Sequence, residues 1–132
     1  MKKVLGCGID IEELNRFLSK IPSGKENSSF AEMVYTTAEI QNHLSILPHV
    51  SFALGFSCKE AFFKAFGVSW TNSEISWKDI ELLFDNQNNL NNYSIRLGGY
   101  AKKLYRKLKC SDIRSSLYYN NEYVVFKVIL IS

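Results

Sequence analysis

The longest apolar stretch of the chain, residues 50 to 66, predicts a buried helix. At 100° per residue, phenylalanines cover one side and small apolar residues the others, so the helix is apolar nearly all round. A narrow polar stripe of Ser57, Glu60 and Lys64 interrupts it. Glu and Lys are rarely buried without a partner. The stripe is therefore either an ordinary Glu60–Lys64 ion pair on a partly exposed edge or one part of a functional site.

The remaining pattern predicts an α+β fold. The predicted order is strand 3–9, helix 12–20, a loop, helix 37–47, helix 50–66, strand 79–84, strand 93–97, helix 98–109, strand 112–119 and strand 122–131. This order groups the helices against a small, largely antiparallel sheet. The final run is almost wholly apolar apart from Lys127, which predicts a central strand or a strand in a subunit interface. Residues 21–29 and 85–92 are predicted as surface loops.

Length and composition narrow the class of protein. With 132 residues, 46% of them hydrophobic, the chain is predicted to form a single domain over residues 1–132 with a sizeable core. It has no apolar run of 18 residues, and the stretch before Asp10 is too short for a signal-peptide core, so a cytoplasmic protein without membrane segments is expected. The cysteines are widely spaced and are predicted to be reduced, mostly packed thiols: Cys7, Cys58 and Cys110.

The net charge of +3 is unevenly distributed. Five cations share one predicted helix: Lys102, Lys103, Arg106, Lys107 and Lys109. We interpret them as a solvated face over a buried leucine stripe, because the base-reading and stacking motifs of a nucleic-acid-binding protein are missing. Arg16 and Lys20, one turn apart on the first predicted helix, form a second basic set. His43 and His49 are predicted to face solvent or to cap helices.

The first predicted strand ends at Asp10, which Glu12 and Glu13 follow closely. Acidic residues are common at helix N-termini, where they cap the backbone and complement the helix dipole, so this cluster alone does not indicate a site. Its combination with the polar stripe of Glu60 and Lys64 is more informative.

Four segments together resemble the 4'-phosphopantetheinyl transferases of the holo-[acyl-carrier-protein] synthase type. They are Gly8-Ile9-Asp10-Ile11, the Thr36-x-x-Glu39 step, the helix segment Phe56 to Gly67, and Ser76 to Glu81. The helix motif K-E-A-x-x-K-A-x-G is the most specific, with matches at Lys59, Glu60, Ala61, Lys64, Ala65 and Gly67. The Thr36–Glu39 step is less so, since it is also an ordinary capping box. The resemblance is good from residue 4 to about residue 85 and weak beyond.

The resemblance implies magnesium-dependent transfer of 4'-phosphopantetheine from coenzyme A to a serine of an apo acyl carrier protein, a step of fatty acid biosynthesis that releases 3',5'-ADP. Asp10 and Glu60 are the implied Mg2+ ligands, with Glu12 as a further candidate ligand or, alternatively, a helix-capping residue. Glu60 or a water on the metal accepts the serine proton, and Lys64 binds the bridging or leaving phosphate oxygen.

Partners and subunits follow from the same resemblance. It implies a homotrimer with sites between adjacent subunits, and an acidic carrier protein that docks on Arg16 and Lys20. The resemblance also assigns coenzyme A contacts to Lys64 and to three residues of a late strand: Arg114, Ser116 and Tyr119.

The sequence also departs from the family pattern. Gly55 stands where the family has a phosphate-contacting arginine, Val68-Ser69-Trp70-Thr71 replaces a glycine-rich loop, and the late segment 114–119 lacks two histidines. These departures keep an alternative open, namely a non-catalytic carrier-binding or assembly protein that retains the fold. The retained Asp10, Glu60 and Lys64 favour the enzyme.

Overall fold

The computed structural model describes residues 1–21, 29–85 and 89–132. The elements in chain order are β1 (Val4–Glu13), a 3₁₀-helix (Leu14–Phe17), α1 (Ser29–Val34), α2 (Thr37–Leu44), α3 (Pro48–Phe66), a 3₁₀-helix (Trp77–Asp79), β2 (Ile80–Phe84), β3 (Tyr93–Leu97), α4 (Gly99–Lys107), β4 (Asp112–Tyr119) and β5 (Tyr123–Ile131). The predicted α+β class is confirmed.

The strands form two small antiparallel sheets. One has the order β1-β5-β4 and the other is the β2-β3 pair. The last strand is therefore central, as its apolar pattern predicted. Its inward side chains are buried in alternation, as a strand with one covered face requires: Val124, Phe126, Val128 and Leu130.

The long helix α3 covers the inward face of this sheet and is buried over most of its length, as predicted. Two glycines let it lie directly on β1. A Cβ on Gly6 would collide with the carbonyl oxygen of Ala65, and one on Gly8 with that of Ala61. The missing side chains bring the helix backbone onto the strand, with the start of β1 beside the last turn of α3 and Asp10 beside Ser57 in the middle of the helix.

The predicted helix 12–20 is wrong. β1 continues to Glu13, pairing with β5 as far as Tyr123, and only a 3₁₀-helix follows. The reason is a period of two that runs through Gly8, Asp10 and Glu12, all of which point inward. The short helix α1 was missed. Most of the predicted loop 21–29, residues 22–28, lies outside the described residues, as do residues 86–88 of the other predicted loop.

Other surface predictions are largely confirmed. The predicted cations of and after α4 are exposed, and Lys103 Nζ lies 4.7 Å from the centre of the Tyr100 ring. The predicted buried leucine stripe is wrong, since Leu104 is half-buried, Leu108 is exposed and Ala101 is the buried residue of the helix. The three cysteines are free, although Cys7 is exposed rather than packed. Among the described helices, none has both the length and the apolar character needed to cross a membrane.

Candidate active site

The end of β1 carries two nearly buried carboxylates on one face. Asp10 and Glu12 alternate inward along the strand and are 7% and 8% exposed. α3 fastens this strand end through two side chains. Ser57 Oγ donates a hydrogen bond to the Asp10 carbonyl oxygen at 2.9 Å, and Lys64 Nζ donates to the Ile9 carbonyl oxygen at 2.9 Å. The predicted polar stripe of α3 therefore faces the predicted strand end.

Lys64 pairs with Asp10. Its Nζ lies 3.1 Å from Asp10 Oδ1, and no ion pair joins Lys64 to Glu60 in the part of the chain that the structure describes. The ordinary i,i+4 pair considered from the sequence is therefore not what the helix forms. The Lys64 side chain is 51% exposed, so its ammonium remains accessible to a ligand while it holds the strand end.

Glu60 and Glu12 both hold their protons more tightly than a free glutamic acid. Burial raises the pKa of Glu60, the Asp10 charge raises it further, and Lys64 opposes the change. Burial and the neighbouring Asp10 carboxyl raise the pKa of Glu12 to about 8, against the influence of Arg16. Arg16 Nη1 lies 3.7 Å from Glu12 Oε1. The structure thus gathers three carboxyl groups and two cations at one place.

The donor set fits a hard divalent cation. Asp10 Oδ2 is buried and has no hydrogen-bond partner among the described residues, so it is an oxygen with coordination capacity to spare. Mg2+ prefers carboxylate oxygens and typically uses one or two of them, with water and phosphate oxygens completing the shell. Among the described residues, no group of three or more His, Cys, Asp or Glu side chains is arranged to hold a metal ion. A metal at Asp10 and Glu60 would therefore take most of its ligands from water and from phosphate.

The opposite side of α3 carries a second lysine that the sequence analysis did not assign. Lys59 is fully buried and forms an ion pair with Glu39 of α2. Its Nζ donates to three oxygens: Glu39 Oε1 at 2.8 Å, the Trp77 carbonyl at 3.0 Å and the Ile80 carbonyl. Glu39 also accepts the Leu82 amide at 3.1 Å. A lysine inside an apolar helix, together with the Thr36-x-x-Glu39 step, was the available signal.

His43 lies in this buried cluster and not in solvent or at a cap, so that prediction is wrong. Its Nε2 lies 3.9 Å from Glu39 Oε2, and burial, with the Lys59 charge adding to it, lowers the pKa of His43 to about 3. The imidazole fills the space beside Gly55, where a Cβ would lie 2.8 Å from His43 Nε2. A side chain at position 55 would start inside the buried cluster, so Gly55 does not leave an empty phosphate site in this chain.

The predicted coenzyme A contacts of β4 are not brought to this site within one subunit. β5 lies between β4 and β1. Arg114 and Ser116 are exposed on the outward face of the sheet, whereas Asp10 points inward, and Arg114 Nε is held by Asp112 Oδ2 at 2.8 Å. Tyr119 faces the other way and is half-buried. These residues stay predictions.

The predicted docking cations are placed differently from each other. Arg16 lies in the 3₁₀-helix beside Glu12, and Lys20 lies after it, with its Nζ 4.6 Å from the centre of the Phe30 ring. They are not one turn apart on an α-helix, as the sequence suggested. Only Arg16 contacts the candidate site.

Comparisons with known proteins point to the same family. Residues 6–126 match the family model described as the 4'-phosphopantetheinyl transferase superfamily. The chain is 34% identical over 124 residues to the holo-[acyl-carrier-protein] synthase of Chloroherpeton thalassium, covering 93% of this chain and 94% of the relative.

Solved structures agree. A crystal structure of the holo-[acyl-carrier-protein] synthase from Neisseria meningitidis has a TM-score of 0.79 at 24% identity, covering 97% of this chain and 98% of that one, which shows the shared fold. The Bacillus anthracis holo-(acyl-carrier-protein) synthase in complex with coenzyme A (3',5'-ADP) has a TM-score of 0.72 at 25% identity, covering 98% and 97%. The chain belongs to the 4'-phosphopantetheinyl transferase superfamily, as a member of its holo-[acyl-carrier-protein] synthase type.

Proposed function

We propose that this protein transfers the 4'-phosphopantetheine group of coenzyme A to a serine of an apo acyl carrier protein, with Mg2+ as cofactor and 3',5'-ADP as the second product. The observation that carries the proposal is the convergence on Asp10. A buried carboxylate with an unpartnered oxygen contacts the accessible ammonium of Lys64 at 3.1 Å, beside the glutamic acids 12 and 60.

Asp10 and Glu60 would hold the metal, with Glu12 as the candidate third ligand. When bound, Mg2+ supplies positive charge that neutralises the diphosphate of coenzyme A. The carboxyl groups of Asp10, Glu12 and Glu60 repel one another electrostatically, so a positive charge bound among them would be favoured.

The transfer itself is a phosphoryl-type displacement. The serine oxygen of the carrier forms a bond to the phosphorus attached to the pantetheine, and the bond from that phosphorus to the oxygen of 3',5'-ADP breaks. Glu60 accepts the serine proton, and its raised pKa brings it closer to the working pH, as general base catalysis favours. The Lys64 ammonium donates to the leaving oxygen and stabilises the charge that develops there.

Arg16 and Lys20 are proposed to receive the acidic carrier protein. Exposed cations contribute little affinity individually, but several of one sign steer an acidic partner and raise its association rate. The Arg16 side chain is 62% exposed and adjacent to the site, so a carrier held there presents its serine near Glu60.

We also propose a homotrimer whose sites lie between subunits. The outward face of β1 leaves large apolar side chains in solvent, including Ile9 at 52% and Ile11 at 59% exposure, and Tyr118 on β4 is 60% exposed. Contiguous exposed apolar faces of this kind mark protein interfaces. Arg114 and Ser116 share that face, so they would lie at the subunit interface of the trimer. Light scattering should give three times the chain mass, and Ile11→Lys should shift it to the monomer.

The function is tested by intact-mass measurement of an apo acyl carrier protein incubated with the protein, coenzyme A and Mg2+. We expect a mass gain of one phosphopantetheine group that disappears on chelation of the metal. A carrier that binds the protein but gains no mass would contradict the proposal and favour the non-catalytic carrier-binding alternative.

A further inference from the structure

The two cations of the site each lie beside a different carboxyl group. Lys64 Nζ lies 3.1 Å from Asp10 Oδ1, and Arg16 Nη1 lies 3.7 Å from Glu12 Oε1. The Glu12 side chain is only 10% exposed, whereas the Arg16 side chain is 62% exposed. The guanidinium therefore has one edge against an active-site carboxylate while its other donors face solvent.

A divalent cation bound among the carboxyl groups would compete with Arg16 for the oxygens of Glu12. A cation bound among the carboxylates attracts the same Glu12 oxygens and repels the guanidinium. Arg16 is then free to pair with another anion. In the opposite direction, an acidic partner that draws Arg16 outward removes its positive charge from the site, which then binds a divalent cation more tightly.

We infer that Arg16 couples the docking of an acidic carrier protein to divalent-cation binding, by exchanging its contact with Glu12 for a carboxylate of the carrier. The inference rests on the proposed function, because it takes the carrier protein and Mg2+ as the two ligands. Linkage is reciprocal, so each ligand must increase the affinity for the other by the same factor. For an exchange of one partly buried ion pair we expect a factor of about 5 to 20.

Lys20 provides a matched control for Arg16. Its Nζ lies over the rings of Phe17 and Phe30, at 5.3 and 4.6 Å from their centres. Among the described residues, Lys20 forms no ion pair with a carboxylate. Its removal deletes one positive charge from the proposed docking surface without changing the charge balance at Glu12.

The experiment is a set of four titrations by calorimetry, with coenzyme A left out so that no transfer occurs. Mg2+ is titrated with and without the apo carrier protein, and the carrier is titrated with and without Mg2+. The wild-type protein should show the same 5- to 20-fold increase in affinity in both directions. Lys20→Gln should weaken docking and keep this factor, whereas Arg16→Gln and Glu12→Gln should bring it close to 1.

Arg16→Gln is the decisive variant, because it keeps all three carboxylates and can bind the metal even where Glu12→Gln cannot. A wild-type factor of 1, or an unchanged factor in Arg16→Gln, overturns the coupling. The intact-mass assay separates this failure from that of the function. If the wild-type protein produces holo carrier while the factor is 1, the coupling is wrong and the proposed transfer stands. If no holo carrier forms, the proposed transfer is wrong, whatever the factor.

Discussion

The two lysines of α3, Lys59 and Lys64, contact carboxylates in opposite environments. Lys59 is fully buried and satisfied by Glu39 and two carbonyl oxygens. Lys64 is 51% exposed and holds Asp10 at the end of β1. We call the side of α3 that carries Lys59 the closed side, because this lysine is buried and contacts only protein groups. The side that carries Lys64 is the open side, because its ammonium is accessible to ligands.

The comparison shows that a lysine and a carboxylate in contact do not by themselves indicate chemistry. On the closed side, Glu39 is hydrogen-bonded at both oxygens, so the pair has no remaining capacity for a substrate. On the open side, Asp10 Oδ2 has no partner among the described residues, and the Lys64 ammonium beside it is half-exposed. Burial shifts pKa values on both sides, so an accessible cation next to an unpartnered carboxylate oxygen is what distinguishes the open side.

The largest effect is expected for Asp10→Asn and Glu60→Gln. Each change removes a charged oxygen ligand at nearly constant volume, so transfer should fall by about a thousandfold or more while the fold is kept. Turnover at saturating Mg2+ and a circular dichroism melt provide the measurement. Near wild-type turnover in either variant would show that the metal site has been assigned wrongly.

The closed side should make the protein sensitive to acid. The folded state lowers the pKa of His43 from 6.5 to about 3, so between these values the unfolded chain binds the extra proton and stability falls as the pH falls. The loss approaches about 1.4 kcal/mol per pH unit. Urea unfolding of His43→Leu between pH 7 and 4 should show a flatter dependence than the wild type.

His49→Gln is the control for that measurement, since His49 lies outside the buried cluster and should keep the wild-type slope. A His43→Leu variant that loses stability with acid as steeply as the wild type would contradict the buried, neutral His43.

On the open side, the stability of the protein should change with pH in the opposite direction. The pKa of Glu12 is raised from 4.5 to about 8 in the fold, so the unfolded chain ionises first and stability falls as the pH rises from about 4.5 to 8. Glu12→Gln should therefore be more stable than the wild type at pH 8, by about 1 to 2 kcal/mol, and equal to it near pH 4. As a control, Glu13→Gln at an exposed position should have the stability of the wild type at both pH values. A Glu12→Gln protein that is less stable than the wild type at pH 8 would contradict the raised pKa of Glu12.

Much of the fold could be predicted because the apolar pattern decides it. The buried helix, the four later strands and the central position of the last strand follow from periodicity and length. The region after Asp10 could not, because Glu12 and Glu13 suit a helix N-terminus as well as a strand end. Tertiary pairing with β5 decides between them, and that pairing joins residues more than a hundred positions apart.

The sequence predicted the residues of the site but not the contacts between them. Asp10, Glu60 and Lys64 were identified by motif, yet the partner of Lys64 depends on how closely α3 lies on β1, which Gly6 and Gly8 determine. The closed cluster was missed because the position of Lys59 in an apolar helix indicates burial but does not identify its partners. Its partners come from α2 and β2, distant in sequence.

The most direct test of the central claim compares Lys59→Met with Lys64→Met in one thermal melt and one turnover assay. Methionine keeps the aliphatic stem and the helix propensity in both variants. Lys59→Met leaves Glu39 buried without its cation, so the protein should lose about 3 to 5 kcal/mol of stability, with residual activity that follows the folded fraction.

Lys64→Met removes a half-exposed ammonium that acts on the leaving phosphate, so turnover should fall about a hundredfold while the melting temperature changes little. If Lys64→Met is instead strongly destabilised and its remaining activity matches its folded fraction, Lys64 is a structural residue like Lys59, and the distinction between the closed and the open side of α3 is wrong.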